Sequence, residues 1–139
     1  MRGQKLQKTS TERRIYADQD ELKAIEKCHE RCVEVLEGFV ESVGLTDFIR
    51  GIDVAGGDGR MLSSKLYKKF KKMDLFDQCP EAIKKANQLR GKYQNFGYAE
   101  VSSMEDFRWR FLYSAIFLVW CVGYLHRAEL IAFLRKAKA

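Results

Sequence analysis

Apolar residues of the first third recur three or four apart: Leu22, Ile25, Cys28, Cys32, Val35, Leu36, Phe39 and Val43. That spacing predicts one long amphipathic helix. Asp18 or Asp20 suits its N-cap, and Gly44 suits the position just past its end. The pattern then shortens. Residues 48–54 read as a strand, 61–70 as a helix through Met61, Leu62, Leu66 and Phe70, and 73–77 as a second strand ending in acid. Pro80 fits the first turn of a helix that buries Ile83, Ala86, Leu89 and Tyr93. Residues 96–101 read as a third strand, 102–110 as a polar connection, and the run from Phe111 to Val119 as the most apolar strand. A last helix over 127–138 presents Leu130, Ile131 and Leu134.

After the first helix strand and helix alternate, with a polar connection in place of a helix between the third and fourth strands. Such alternation predicts an α/β fold, a parallel sheet with helices on both faces. No internal repeat interrupts it. Residues 1–14 are polar and aperiodic, so they are expected to be a disordered basic tail on one domain spanning 15–139.

Charge changes the picture little. The net charge is +6. Arg2, Lys5, Lys8, Arg13 and Arg14 against Glu12 put +4 of it in the tail, leaving +2 for the rest. A basic tail on a nearly neutral domain argues against nucleic-acid binding. Lys65, Lys68, Lys69, Lys71 and Lys72 read as a solvated helix end. The four cysteines, Cys28, Cys32, Cys79 and Cys121, read as free thiols of a reducing compartment. Cys28 and Cys32 lack a second ligand pair, so they read as core thiols and no metal site is expected. The apolar stretch from Phe111 to Leu125 falls short of the roughly 20 residues that span a bilayer. The acid-poor tail leaves organelle import open.

The informative stretch is Gly51-Ile52-Asp53-Val54-Ala55-Gly56-Gly57-Asp58-Gly59-Arg60. A strand running into clustered glycines and then a helix brings backbone close to a ligand, and an acid about twenty residues on suits a ribose. Asp77 stands there, with Asp74 just before it. Asp58 inside the turn is a poor host for a pyrophosphate, which disfavours dinucleotides. S-adenosylmethionine carries no phosphate. Arg60 could pair with its carboxylate, Asp77 with its ribose hydroxyls, and Met104 and Glu105 could flank its adenine. Each also has a plainer reading: Arg60 as a helix-start surface residue, Asp77 as a cap for the next helix, Met104 as core.

The blocks Asp53-Val54-Ala55-Gly56-Gly57-Asp58-Gly59-Arg60, Met73-Asp74-Leu75-Phe76-Asp77, Met104-Glu105-Asp106-Phe107, Trp120-Cys121-Val122-Gly123-Tyr124-Leu125 and Ala132-Phe133-Leu134-Arg135-Lys136 resemble the alpha-N-terminal protein methyltransferases. That family methylates the free amine of proteins with an Xaa-Pro-Lys type start. The resemblance implies a Rossmann-like class I methyltransferase fold with an N-terminal helix and S-adenosylmethionine as cofactor. It implies cofactor contacts from Asp53, Ala55, Gly57, Gly59, Arg60, Asp77, Met104 and Glu105, and a peptide-channel aromatic in Trp120. Ala55 occupies the first glycine position of the family turn, Glu105 stands in place of an amide and Val119 in place of another polar contact. Tyr124 takes the place of a histidine near the substrate amine and is the candidate catalytic residue. The class I sheet order is 3-2-1-4-5-7-6, and this chain supplies 3-2-1-4. The run from Phe111 to Val119 would then be an edge strand, expected to pair with another chain or with itself. Two functions follow: a methyltransferase of protein or peptide N-termini, or an inactive methyltransferase-like remnant kept as a binding or structural module. The resemblance implies a cytoplasmic or nuclear location.

Overall fold

A computed structural model describes residues 18–138; the basic tail expected over 1–14 lies outside the described residues. Helix α1 covers Gln19–Ser42. Strand β1 (Arg50–Val54) leads into a 3-10 turn (Arg60–Ser63) and a short helix α2 (Lys65–Lys68). Then follow β2 (Lys72–Asp77), α3 (Pro80–Asn87), β3 (Phe96–Val101) and β4 (Ala115–Leu118). A second 3-10 turn (Val122–Tyr124) precedes α4 (Arg127–Lys138).

The four strands form one parallel sheet, as the alternating pattern predicts, in the order β3-β2-β1-β4 that the family resemblance implies. Side-chain alternation along the strands divides the core between the two faces. On one face Met73 and Leu75 pack with Leu62, Leu66, Tyr67 and Phe70. On the other, Ile52, Val54 and Phe76 pack with Phe107, Cys121 and Phe133. The Phe76 and Phe107 rings stack with centroids 4.0 Å apart.

Asp74, almost fully buried in β2, fastens the sheet across three elements. It accepts from the Arg50 guanidinium (2.8 Å), the Tyr98 backbone N–H (2.7 Å) and the Tyr113 hydroxyl (2.9 Å). The register between β2 and β3 shifts between Met73 and Leu75, where the Asp74 side chain takes a backbone amide of β3. Gly97 makes this possible, because a Cβ there would lie 2.2 Å from Asp74 Oδ1. Burial and the Asp74 carboxylate push the Tyr113 hydroxyl's pKa well up, so it stays a donor.

Of the two N-cap candidates, Asp18 caps α1, in a capping box with Glu21. Two expectations need correction. The inner face of α1 runs through Val33, Leu36 and Val40, while Val35, Phe39 and Val43 are exposed, as is Cys28. Leu22, Ile25 and Leu36 of the expected stripe do face inward, but the inward line also contains His29 and Glu37, which a choice of apolar positions alone leaves out. The helix expected over 61–70 breaks at Ser64, which is extended (φ −67°, ψ 149°) and whose side chain accepts from the Tyr67 N–H. Its hydroxyl satisfies a helix start better than a helix interior.

The fourth strand is shorter than the run from Phe111 to Val119. Phe111 lies under the Arg50 guanidinium at 3.8 Å and Tyr113 is tied to Asp74, so pairing with β1 covers only Ala115 to Leu118. Leu112 is 94% exposed. Beyond β4 no further strand pairs with the sheet among the described residues. No helix among them is long and apolar enough to cross a membrane.

Two outcomes follow from this framework. Asp74→Ala removes the acceptor for the part-buried Arg50 guanidinium and two other donors, and should lower unfolding stability by about 2–4 kcal/mol in urea titration; a loss below about 1 kcal/mol would contradict the anchoring role. The open β4 edge with apolar residues beside it should drive self-association of the isolated chain. Light scattering that returns only a 16.2 kDa species would count against that expectation.

Candidate functional site

The site forms at the C-terminal ends of β1, β2 and β4. The turn after β1 takes the left-handed conformation at every second residue: Ala55 (φ 54°), Gly57 (φ 60°) and Gly59 (φ 79°). Glycine occupies such positions freely. At Ala55 the Cβ costs about 1–2 kcal/mol. The cost is borne because the turn is held on both sides. Gly56 N–H donates to the Phe76 carbonyl at 3.0 Å, and Gly57 N–H donates to Asp77 Oδ2 at 3.0 Å. The other oxygen of Asp77 accepts from Cys79 N–H at 2.8 Å, at the start of α3. Asp77 therefore braces the helix start and the glycine turn together. Trp120, just past β4, is the other non-glycine residue with positive φ (60°) among the described residues. Strain of this kind concentrates where a backbone is held for a ligand.

Two hollows meet at Ala55. The first, of about 240 Å³, lies between the turn and α1; Asp53, Gly57, Asp58, Arg60 and Trp120 line it, with Leu22, Ile25 and His29 from the helix. The second, of about 300 Å³, is lined by Asp77, Met104, Glu105, Cys121 and Tyr124. Joined, they reach the range of about 300–1,000 Å³ typical of small-ligand clefts. The structure thus brings together Asp53, Gly57, Arg60 and Trp120 at one end, and Asp77, Met104, Glu105 and Tyr124 at the other. Gly59 lines neither hollow; a Cβ on it would meet Leu62, Leu89 and Ala86, so it lets the turn pack on α3. Trp120 and Tyr124 lie in different hollows, each nearly half exposed.

Sequence reading missed the contribution of α1. Leu22, Ile25 and His29 stand at helical spacing on one face. The signal was present, but a histidine flanked by cysteines and charges draws attention as a metal motif rather than as part of a wall.

Asp53 dominates the electrostatics. It is buried on β1, and burial pushes its carboxyl from the ordinary 3.8 to about 7, with the nearby Asp77 charge adding to the rise. The Tyr67 hydroxyl beside it works against that rise. It makes no geometrically complete hydrogen bond among the described residues, so burial prevails. Burial likewise raises Asp77, against the two backbone N–H groups that hold its charge. The Cys121 thiol is pushed up to about 12, by burial first and then by Asp53, and is therefore an inert wall residue. A buried carboxyl with no ion-paired cation among the described residues suits the positive end of a ligand.

The sign for stability is definite. Between about pH 4 and pH 7 the folded chain holds a proton on Asp53 that the unfolded chain has released. Burial of Asp53 costs nothing below that window, and stability falls through it by at most about 1.4 kcal/mol per pH unit. Asp53→Asn should flatten this decline in Tm between pH 5 and pH 7; an unchanged slope would refute the assignment.

The geometry can be set beside known proteins. The fold resembles a SAM-dependent methyltransferase of Leishmania major with a TM-score of 0.75 at 22% identity, over 84% of this chain and 48% of that one. It also resembles magnesium protoporphyrin IX methyltransferase of Synechocystis, solved with bound SAM (TM-score 0.66, 17% identity, 91% of this chain and 62% of that one). A third resemblance is to the N-methyltransferase NodS of Bradyrhizobium japonicum (TM-score 0.63, 18% identity, 78% and 59%). These likenesses show a Rossmann-like class I methyltransferase fold. The chain spans about half the length of the Leishmania protein. No curated protein matches the sequence. A family model for AdoMet-dependent proline di-methyltransferases matches residues 26–139, so the chain belongs to that SAM-dependent methyltransferase family.

Proposed function

We propose that this chain forms the cofactor-binding part of a methyltransferase acting on the N-terminal amine of a protein or peptide. One observation carries the reading: two hollows joined at Ala55, with the carboxyl of Asp53 at one end and that of Asp77 at the other. Both are buried, and neither faces a fixed cation in an ion pair among the described residues.

S-adenosylmethionine supplies, when bound, an electrophilic methyl group on a positively charged sulfur. Its charges match the residues present. Asp53 offers a negative group for the cationic end, and Arg60 in the same hollow offers a fork for the amino-acid carboxylate. Asp77 spends one lone pair on each of its two N–H donors, which leaves acceptor capacity for ribose hydroxyls. Met104 and Glu105 form an apolar and a polar wall beside it, suited to an adenine ring. Trp120 gives the first hollow a flat aromatic side where an acceptor peptide would enter. The chain's part in such a reaction is to fix orientation and keep water from the reacting end. The amine acceptor and the cytoplasmic or nuclear setting rest on the motif blocks and the proline di-methyltransferase family.

Calorimetric titration tests the reading. S-adenosylmethionine should bind, and Asp77→Ala should weaken it at least about tenfold, the value of one lost charged hydrogen-bonding group. Affinity should rise about tenfold from about pH 6 to about pH 8 as Asp53 ionises. Absence of heat at millimolar cofactor would sink the reading. Cofactor heat without methyl-sized mass steps on Xaa-Pro-Lys peptides would favour the other expectation, a module retained for binding.

A further inference from the structure

His29 stands in the wall of the first hollow. It lies on α1, one helical turn after Ile25, and lines that hollow together with Asp53 and Arg60. Its ring meets Trp120 edge-on, with centroids 6.4 Å apart and planes at 82°. It also lines the outer groove that continues from the hollow. An acceptor entering past Trp120 therefore passes the imidazole.

Resting on the methyltransferase reading above, we propose that His29 takes the proton from the acceptor nitrogen. An amine at neutral pH is largely an ammonium, whose nitrogen has no free lone pair. The ammonium gives its proton to the imidazole of His29. The freed lone pair then forms the N–C bond while the C–S bond breaks and its electron pair stays on sulfur, which becomes a neutral thioether. The imidazolium passes the proton to solvent. Of the groups at this hollow, imidazole is the one whose ordinary pKa, about 6.5, lies near neutrality, and His29 lines both the hollow and the outer groove. Asp53 is buried beneath, committed to the cofactor's positive end. Glu26 and Glu30 from α1 and Asp58 from the glycine turn favour the imidazolium; Arg60 and Lys85, which line the same groove, oppose it.

Imidazole NMR tests this without turnover, since the chain has two histidines and His126 is exposed at the head of α4. His126→Gln assigns the two signals. With S-adenosylhomocysteine present, adding a peptide that begins Xaa-Pro-Lys should shift the titration of His29 and leave His126 unmoved. In parallel, His29→Gln should keep the calorimetric heat of cofactor binding and slow methyl transfer about a hundredfold, with part of the rate recovered as pH rises. An unmoved His29 signal, or a variant with an unchanged rate and pH profile, overturns the inference while intact cofactor heat leaves the methyltransferase reading standing. Loss of cofactor heat in the unsubstituted chain overturns both.

Discussion

The bond from Gly57 N–H to Asp77 Oδ2 is the constraint on which the site depends. It joins the turn after β1 to the end of β2, and the other oxygen of the same carboxylate starts α3. Without it the left-handed residues 55, 57 and 59 would be tied to β2 only through the Gly56 N–H bond to the Phe76 carbonyl. With it, Ala55 is held in a conformation that glycine would adopt more cheaply, and its position fixes where the two hollows meet. The turn is thus specified by a carboxylate on a neighbouring strand as much as by its own glycines. Placing that carboxylate costs desolvation, which its two N–H partners offset in part.

Two buried aspartates on adjacent strands illustrate how surroundings decide a role. Asp74 has a guanidinium, a hydroxyl and a backbone amide around it, so its charge is already answered. It is a structural fastener, and Gly97 is shaped to admit it. Asp53 has no such ion-paired cation among the described residues, and burial is the largest of the causes that bring its proton affinity near neutrality. An unanswered buried carboxyl is costly in an isolated fold. Beside an open hollow it is a place for a positive group to arrive. The same residue type therefore stabilises on one face of the sheet and offers a negative group on the other.

Much of this was legible in the chain. Residues 96–101 form β3 as the pattern predicts, and Asp77 ends β2 beside the glycine turn because strand, turn and acid are local signals. The parallel sheet followed from alternation, and its strand order from the family resemblance. What failed was information that only packing supplies. The inward face of α1 includes His29 and Glu37, so an apolar stripe chosen by residue type pointed to Val35 and Phe39, which face solvent. Phe111 and Tyr113 look like strand residues but are claimed by Arg50 and Asp74. Asp74 itself, one of two candidate acids near the turn, could be separated from Asp77 only once its three partners were in place. The contribution of α1 to the site was invisible for the same reason: a helix some twenty residues before the glycine turn becomes its neighbour only on folding.

The central claim is that the junction at Ala55 is a cofactor site and not merely a cleft between packed elements. The most direct measurement is a crystal structure of the chain with S-adenosylhomocysteine. The ligand should cross both hollows, its ribose hydroxyls on Asp77 and its amino-acid end beside Asp53 and Arg60, with the bond from Gly57 to Asp77 intact. A ligand bound elsewhere, or a turn that closes over Ala55 and admits none, would contradict the account.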